Sequence, residues 1–223
     1  MVTGHPDVPL STGLPAWLPA RDPQGRRAAG RTLRVQGEDT VRRLLDAGRA
    51  AFARLGYSAT RVDDVVDAAG TSHGTFYLYF RDKEDLLHRL AIECGDELDR
   101  LTTELDALAD PLPGGALRGW VTTFVRAYPA HASVIRVWLE RRDLDPLMQV
   151  LANDTLGGLA AAMQRRLDPD VVAAVDPGVA TLALLSLLER LSAYAQSSDG
   201  ALDDERIGAT LSEMLGATLR TVG

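Results

Sequence analysis

Between positions 60 and 83 the chain reads T-R-V-D-D-V-V-D-A-A-G-T-S-H-G-T-F-Y-L-Y-F-R-D-K, a stretch whose side chains hydrogen-bond rather than react. Phe76 and Phe80 stand four apart and share one helical face, which leaves His73, Thr75, Tyr77 and Tyr79 to the others. Val62, Val65, Val66 and Ala69 form a short apolar-periodic helix before them, with Gly70-Thr71-Ser72 as the turn between the two. Two short helices joined by a Gly-containing turn make a helix-turn-helix, whose second helix can enter a DNA major groove. Lys83 falls at the start of a further helix, where free backbone N–H groups suit a phosphate. The chemistry on offer is hydrogen bonding and ion pairing.

The elements that must position these groups carry their own signals. Thr60 with Asp63 three residues on is an acidic variant of the capping box, Ser72 can cap the second helix, and Asp82 with Asp85 can cap the next. Gly70 follows Ala69 where a helix commonly ends in a left-handed residue. A preceding helix is expected from about Glu38 to Leu55, with Val41, Leu44, Leu45, Phe52 and Leu55 inward. Gly48 on that face would let another helix come close, and Gly56 ends the helix.

The words G-Y-S-A-T-R-V (56–62), V-V-D-A-A-G (65–70) and T-S-H-G-T-F-Y-L-Y-F-R-D-K-E-D-L-L (71–87) resemble the N-terminal domain of the TetR family of bacterial transcriptional regulators. The resemblance covers about Thr40 to Leu87; the rest matches only in being helical and of suitable length. It implies an all-α protein with an N-terminal three-helix helix-turn-helix DNA-binding domain and a C-terminal helical ligand-binding and dimerisation domain. With helix geometry, it implies DNA contacts from Thr60, Ser72, His73, Thr75, Tyr77, Tyr79 and Lys83, mainly to phosphates, with His73 and Thr75 nearest base edges. Thr71 stands where the family usually has an apolar residue, and His73 where it more often has Lys or Arg.

Composition narrows the alternatives. The net charge of −7 and pI near 5.1 run against a DNA binder. The charge is unevenly placed: residues 1–33 carry +2, residues 34–90 are neutral and residues 91–223 carry −9. The acidity therefore lies in the half not expected to touch DNA. Residues 1–20 lack a basic n-region and are interrupted by Pro6, Asp7, Pro9 and Pro15, so no secretory signal is expected. No apolar run approaches a membrane span, and the lone Cys94 fits a reducing, cytoplasmic setting. There is no P-loop, no G-x-S-x-G, no H-E-x-x-H and no paired-Cys metal spacing, and His5, His73, His88 and His131 are scattered. No enzyme, cofactor or metal is expected.

Three divisions are expected: a disordered Arg/Pro/Gly-rich arm (1–33), the DNA-binding domain (34–87) and a ligand-binding and dimerisation domain (88–223). The helix from Lys83 to about Ala109 belongs to both domains and can carry a displacement from one to the other. After a loop at 110–115, helices are expected at about 116–128, 132–142, 146–167, 177–196 and 203–221, with no strand; Gly157-Gly158 makes either a kink or a close helix contact. The last two, with Leu188, Leu191, Leu211 and Leu215, read as a homodimer seam, as the resemblance also implies. Trp120, Phe124 and Tyr128 recur at i, i+4 and i+8; with Trp138, Met148, Leu151, Leu184 and Tyr194 they are expected to enclose a small lipophilic effector. The expectation is a cytoplasmic regulator, most simply a repressor, that binds a double-stranded operator as a dimer, does not enter membranes and is released by effector. A helical ligand-binding protein with a vestigial DNA-binding head is the competing reading.

Overall fold

The computed structural model describes residues 28–140, 144–197 and 203–222. The chain divides into a unit of residues 1–40 and a unit of residues 41–223. Most of the expected arm, residues 1–27, lies outside the described residues. Its last part is a correction: 28–33 are the first turns of helix α1 (Ala28–Leu55), which begins well before the expected Glu38. The arm's prolines stop at Pro23, and Ala28, Ala29, Arg31 and Leu33 are good helix formers.

From Val41 onward α1 buries Leu44, Leu45, Ala47, Ala51 and Phe52, whereas Leu55, at its last position, is exposed rather than inward. Gly48 does permit a close approach: a Cβ there would stand 2.7 Å from Leu86 Cδ2. Gly56 (φ 77°) follows α1 and Gly70 (φ 60°) follows α2 (Val62–Ala68), both in the left-handed conformation that glycine adopts without strain. The cap of α2 lies one residue later than expected. Arg61 N–H donates to Asp64 Oδ2 at 2.8 Å, while the Thr60 hydroxyl turns inward and donates to Gly56 O at 2.7 Å. Helix α3 (His73–Tyr79) is capped by Ser72, whose Oγ accepts the Thr75 N–H at 3.2 Å, and Phe76 and Phe80 are buried beneath it.

Helix α4 (Lys83–Ala107) starts at Asp82, whose carboxylate accepts the Asp85 N–H at 2.8 Å; Asp85 in return accepts the Arg81 N–H at 3.0 Å. Its 25 residues span about 37 Å at 1.5 Å per residue. It packs against both α5 (Gly114–Glu140) and α6 (Pro146–Arg165). Two separate helices were expected where α5 runs unbroken through Pro129. An interior proline removes one hydrogen bond and costs about 3 kcal/mol, but Pro129 lies on the exposed face between buried Tyr128 and Ser133, and packing on both sides outweighs the break.

Helices α7 (Pro169–Ala174), α8 (Pro177–Ser197) and α9 (Asp204–Gly216) complete the described helices. Helix α7 occupies a stretch expected as a break; Asp168 caps it and Pro169 opens it. Helix α9 stops before the expected residue 221 because the chain turns at Ala217 and extends. A short parallel ladder, absent from the sequence reading, then joins β1 (Leu112–Pro113) to β2 (Thr221–Val222). Strands this short leave no alternation to read. A Cβ at Gly157 or Gly158 would meet nothing within 4 Å, and α6 runs through both, so neither marks a close helix contact. Gly208 does: a Cβ there would lie 2.9 Å from Thr122 Oγ1, which sets α9 against α5.

The far end of α4 is held by Arg166, which is 7% exposed. Its Nη2 donates to the carbonyls of Leu105 (2.9 Å), Asp106 (3.0 Å) and Leu108 (2.7 Å), and its Nη1 to Ala109 (2.9 Å). Helix C-termini leave carbonyls without intrahelical partners, and a planar guanidinium serves several at once. Replacing Arg166 by Met is expected to lower stability by about 3 kcal/mol, since buried acceptors lose a charged donor. Arg166→Lys should recover less than half of that. Urea midpoints for the two variants check it; an unchanged midpoint in Arg166→Met would show that this clasp contributes nothing.

Candidate functional site

Helix α3 presents its polar face on a firm base. Phe76 and Phe80 lie 5.6 Å apart between ring centroids and are 0% and 5% exposed, while Tyr77 is 56% and Tyr79 38% exposed. His73 is exposed, stacks on Tyr77 at 6.3 Å and holds Asp63 Oδ1 through Nε2 at 2.7 Å. Thr75 and Ser72 exchange a hydroxyl–hydroxyl hydrogen bond of 3.0 Å. These side chains lie together on one short helix and its cap, as the sequence reading expects.

Thr60 and Lys83 do not join them. Thr60 is 1% exposed, its hydroxyl spent on carbonyls of α1 and the following turn. Lys83 Nζ donates to the carbonyls of Tyr57 (2.8 Å), Ser58 (3.2 Å) and Thr60 (2.7 Å), and stands 4.6 Å from the Tyr57 ring centroid. Main-chain acceptors on the α1–α2 turn thus take the cation that was expected to meet a phosphate. Exposed positive charge comes instead from Arg61 and from Arg81, whose side chain is 75% exposed and pairs with Asp85 at 3.3 Å. Neither stands out in the sequence, where Lys83 at the helix start draws the expectation of a phosphate contact.

Along α5, Trp120, Phe124 and Tyr128 form a continuous buried stripe, with centroids 5.9 and 6.4 Å apart. Trp120 Nε1 donates to Leu101 O at 2.7 Å and the Tyr128 hydroxyl to Glu189 Oε1 at 2.7 Å. Burial, and then the bond to Glu189, push the Tyr128 phenol well above its usual range. Trp138, Met148 and Leu184 are buried and Leu151 half-buried; the Trp138 Nε1 is buried without a hydrogen-bond partner. Tyr194 is a correction: it is 54% exposed. It follows buried Leu188 by six residues, which at 100° each turns it about 120° away from that inward face.

A cleft between α4 and α5 is lined by Glu97, Leu98, Leu101, Phe124, Ala127, Tyr128, His131 and Ile135, and encloses about 10 Å³. That is room for about one water, against the 300 Å³ or more of a ligand site. At this position the rings fill the space that the sequence reading left for an effector. His131 also lines this cleft; burial, and then Arg49, lower its basicity against the opposing pull of Glu97. Cys94 is buried, and burial followed by Glu97 pushes its thiol up to about 12, so it stays protonated. Glu84, His88 and Asp145 bring potential ligand atoms within 4.8 Å of one another. His88 Nε2 and Asp145 Oδ2 are 2.9 Å apart, and Asp145 also caps α6, so the cluster has a role as a tie between α4 and α6.

The model of bacterial regulatory proteins of the tetR family matches residues 44–90, from the buried half of α1 to the first turns of α4. The regulator EthR of Mycolicibacterium smegmatis is 26% identical over 205 residues, 87% of this chain and 90% of that one. The repressor KstR2 of Mycobacterium tuberculosis is 35% identical over 106 residues, covering 46% of this chain and 52% of that protein. Residues 44–90 carry a TetR-family DNA-binding domain, and the chain is similar to regulators of that family over most of its length. Solved TetR-like structures agree in fold: a Rhodococcus regulator aligns over 82% of this chain and 98% of its own (TM-score 0.64, 22% identity). FadR of Bacillus subtilis, solved with stearoyl-CoA, aligns over 78% and 96% (TM-score 0.54, 21% identity).

The homodimer seam expected at Leu188, Leu191, Leu211 and Leu215 from the apolar pattern of the last two helices needs correction. Leu188, Leu211 and Leu215 are 1%, 0% and 0% exposed within the single chain, and Leu191 is half-buried, because α8 and α9 turn these leucines onto their own core. The exposed apolar groups of these helices are Val179 (66%), Leu182 (64%) and Tyr194 (54%) on α8 and Met214 (48%) on α9.

The altered role of Lys83 has a direct test. Lys83→Met is expected to lower the melting temperature by several degrees, as the turn carbonyls lose their donor. The salt dependence of DNA binding should keep its slope, since no phosphate contact is removed. A slope reduced by about one with an unchanged melting temperature would return Lys83 to the DNA interface.

Proposed function

We propose that this regulator is a repressor that binds a palindromic operator as a homodimer and is released by a small lipophilic effector. The observation that carries it is the division of labour on α3. Phe76 and Phe80 anchor the helix, and His73, Tyr77 and Tyr79 stand exposed on it. The proposed DNA contacts are Ser72, His73, Thr75, Tyr77 and Tyr79, with Arg61 and Arg81 toward phosphates. A dimer would bring two such helices to successive major grooves about 34 Å apart.

The dimer is supported by the exposed Val179, Leu182 and Tyr194 of α8 and Met214 of α9, apolar area that a second copy would cover. Repression is supported by the similarity to the repressor KstR2, and an acyl effector by the stearoyl-CoA in the FadR structure. The effector would part α4 from α5 beside Phe124, Tyr128 and His131, and helix α4 would carry that displacement to the head.

Selection of DNA from a randomised duplex pool tests the operator: a palindrome is expected, and a pool without enrichment contradicts the repressor. For the dimer, Val179→Glu combined with Leu182→Glu is expected to give a folded monomer by light scattering, with weakened operator binding. Leu188→Glu should unfold the chain instead, because it buries an unpaired charge. A folded dimer of the double variant would move the seam off this face. Stearoyl-CoA serves as the first effector probe, expected to raise the melting temperature and loosen the operator. If it does neither, long-chain acyl groups are excluded.

A further inference from the structure

Among the described residues, the most exposed large apolar side chain lies on the recognition helix itself. Leu78 is 78% exposed, between Tyr77 and Tyr79. A side chain on an α-helix leans toward the N-terminus over the residue four before it, and for Leu78 that residue is Gly74. A Cβ built at Gly74 would meet only Ser72 Oγ, at 3.7 Å, so the surface there is bare backbone. Leu78 is thus an apolar prong beside a strip of helix that can come close to whatever it faces.

The polar inventory of α3 gives this prong its role. Its sequence, H-G-T-F-Y-L-Y, holds no Arg or Lys to grip guanine in bidentate fashion and no Asn or Gln to grip adenine. Of the polar side chains present, His73 already holds Asp63 and Thr75 already holds Ser72. Hydrogen-bonded readout by this helix is sparse, and in the major groove the feature an aliphatic side chain can recognise is the C5-methyl group of thymine. We infer that Leu78 reads a thymine methyl in each half-site and sets base preference there by apolar contact. This rests on α3 being the DNA-reading helix.

The test removes the methyl and nothing else. Duplexes selected by the full-length protein from a randomised pool are remade with single thymines changed to deoxyuridine, which pairs identically. Wild-type protein is expected to lose about four-fold in affinity at one position per half-site, the loss for one buried methyl-sized group, and about fifteen-fold with both half-sites changed. Leu78→Ala should bind the thymine duplex more weakly, show no sensitivity to deoxyuridine at that position and keep the salt slope of the wild type. Leu78→Arg, passed through the same selection, should exchange the thymine for guanine. Equal deoxyuridine sensitivity in wild type and Leu78→Ala, or an unchanged consensus for Leu78→Arg, overturns the methyl reading while the DNA-reading role of α3 stands. A pool in which wild type enriches nothing overturns both.

Discussion

Two buried or half-buried cations fasten the two ends of α4 through main-chain carbonyls, one cation on α4 itself and one reaching it from α6, and the rest of the molecule is arranged around that helix. At the first residue of α4, Lys83 reaches back to the turn between α1 and α2 and serves three carbonyls there. Beyond the last turn, Arg166 at the end of α6 serves four. Each arrangement meets two needs at once. Carbonyls at turns and helix C-termini lack regular partners, and a desolvated cation is costly unless its donors are satisfied. Neither pairing can be given up without leaving the other side exposed to that cost, so α4 is held where its neighbours need it.

Its middle is fixed by close approach rather than charge. Gly48 admits Leu86 against α1, and a Cβ at Gly95 would come within 3.3 Å of Thr155 Oγ1 on α6. Arg49 of α1 pairs with Glu93, and His88 with Asp145 at the start of α6. A helix clasped at both ends and packed tightly between conveys motion as a body, because packed interfaces have few intermediate arrangements. Under the proposed function, a small separation of α4 from α5 at the narrow cleft beside Phe124 and Tyr128 would reach α3 by this route. In the proposed mechanism the cleft's small volume would make an effector work against packing, with the energy for the shift drawn from its preference for the opened state.

Much of this was legible in the residues. The Phe76 and Phe80 spacing, the left-handed Gly56 and Gly70 and the caps at Ser72 and Asp82 are local features, and short-range sequence reports them faithfully. What depends on distant partners was not. Lys83 and Thr60 sit at plausible positions for DNA, yet carbonyls brought near by the fold take them first. Leu188, Leu211 and Leu215 could face either their own core or a second copy, and helical periodicity cannot tell one apolar neighbour from another. Pro129 reads as a stop, and only burial on both sides explains why α5 continues. Arg166 looks like any surface arginine until the end of α4 is placed beside it.

The claim that the clasped α4 holds the DNA-binding helices and the effector domain as one body is tested most directly by a distance distribution. Spin labels at Ala68→Cys on α2 and Ala161→Cys on α6, both exposed positions, report that distance when labelled chains are diluted with unlabelled ones; the buried, protonated Cys94 does not compete for label. Pulsed electron paramagnetic resonance is expected to give one narrow distribution that broadens markedly when Lys83→Met releases the near end of α4. A distribution equally narrow with and without Lys83 would contradict the account, since the orientation of the head would then be set by something other than the clasp.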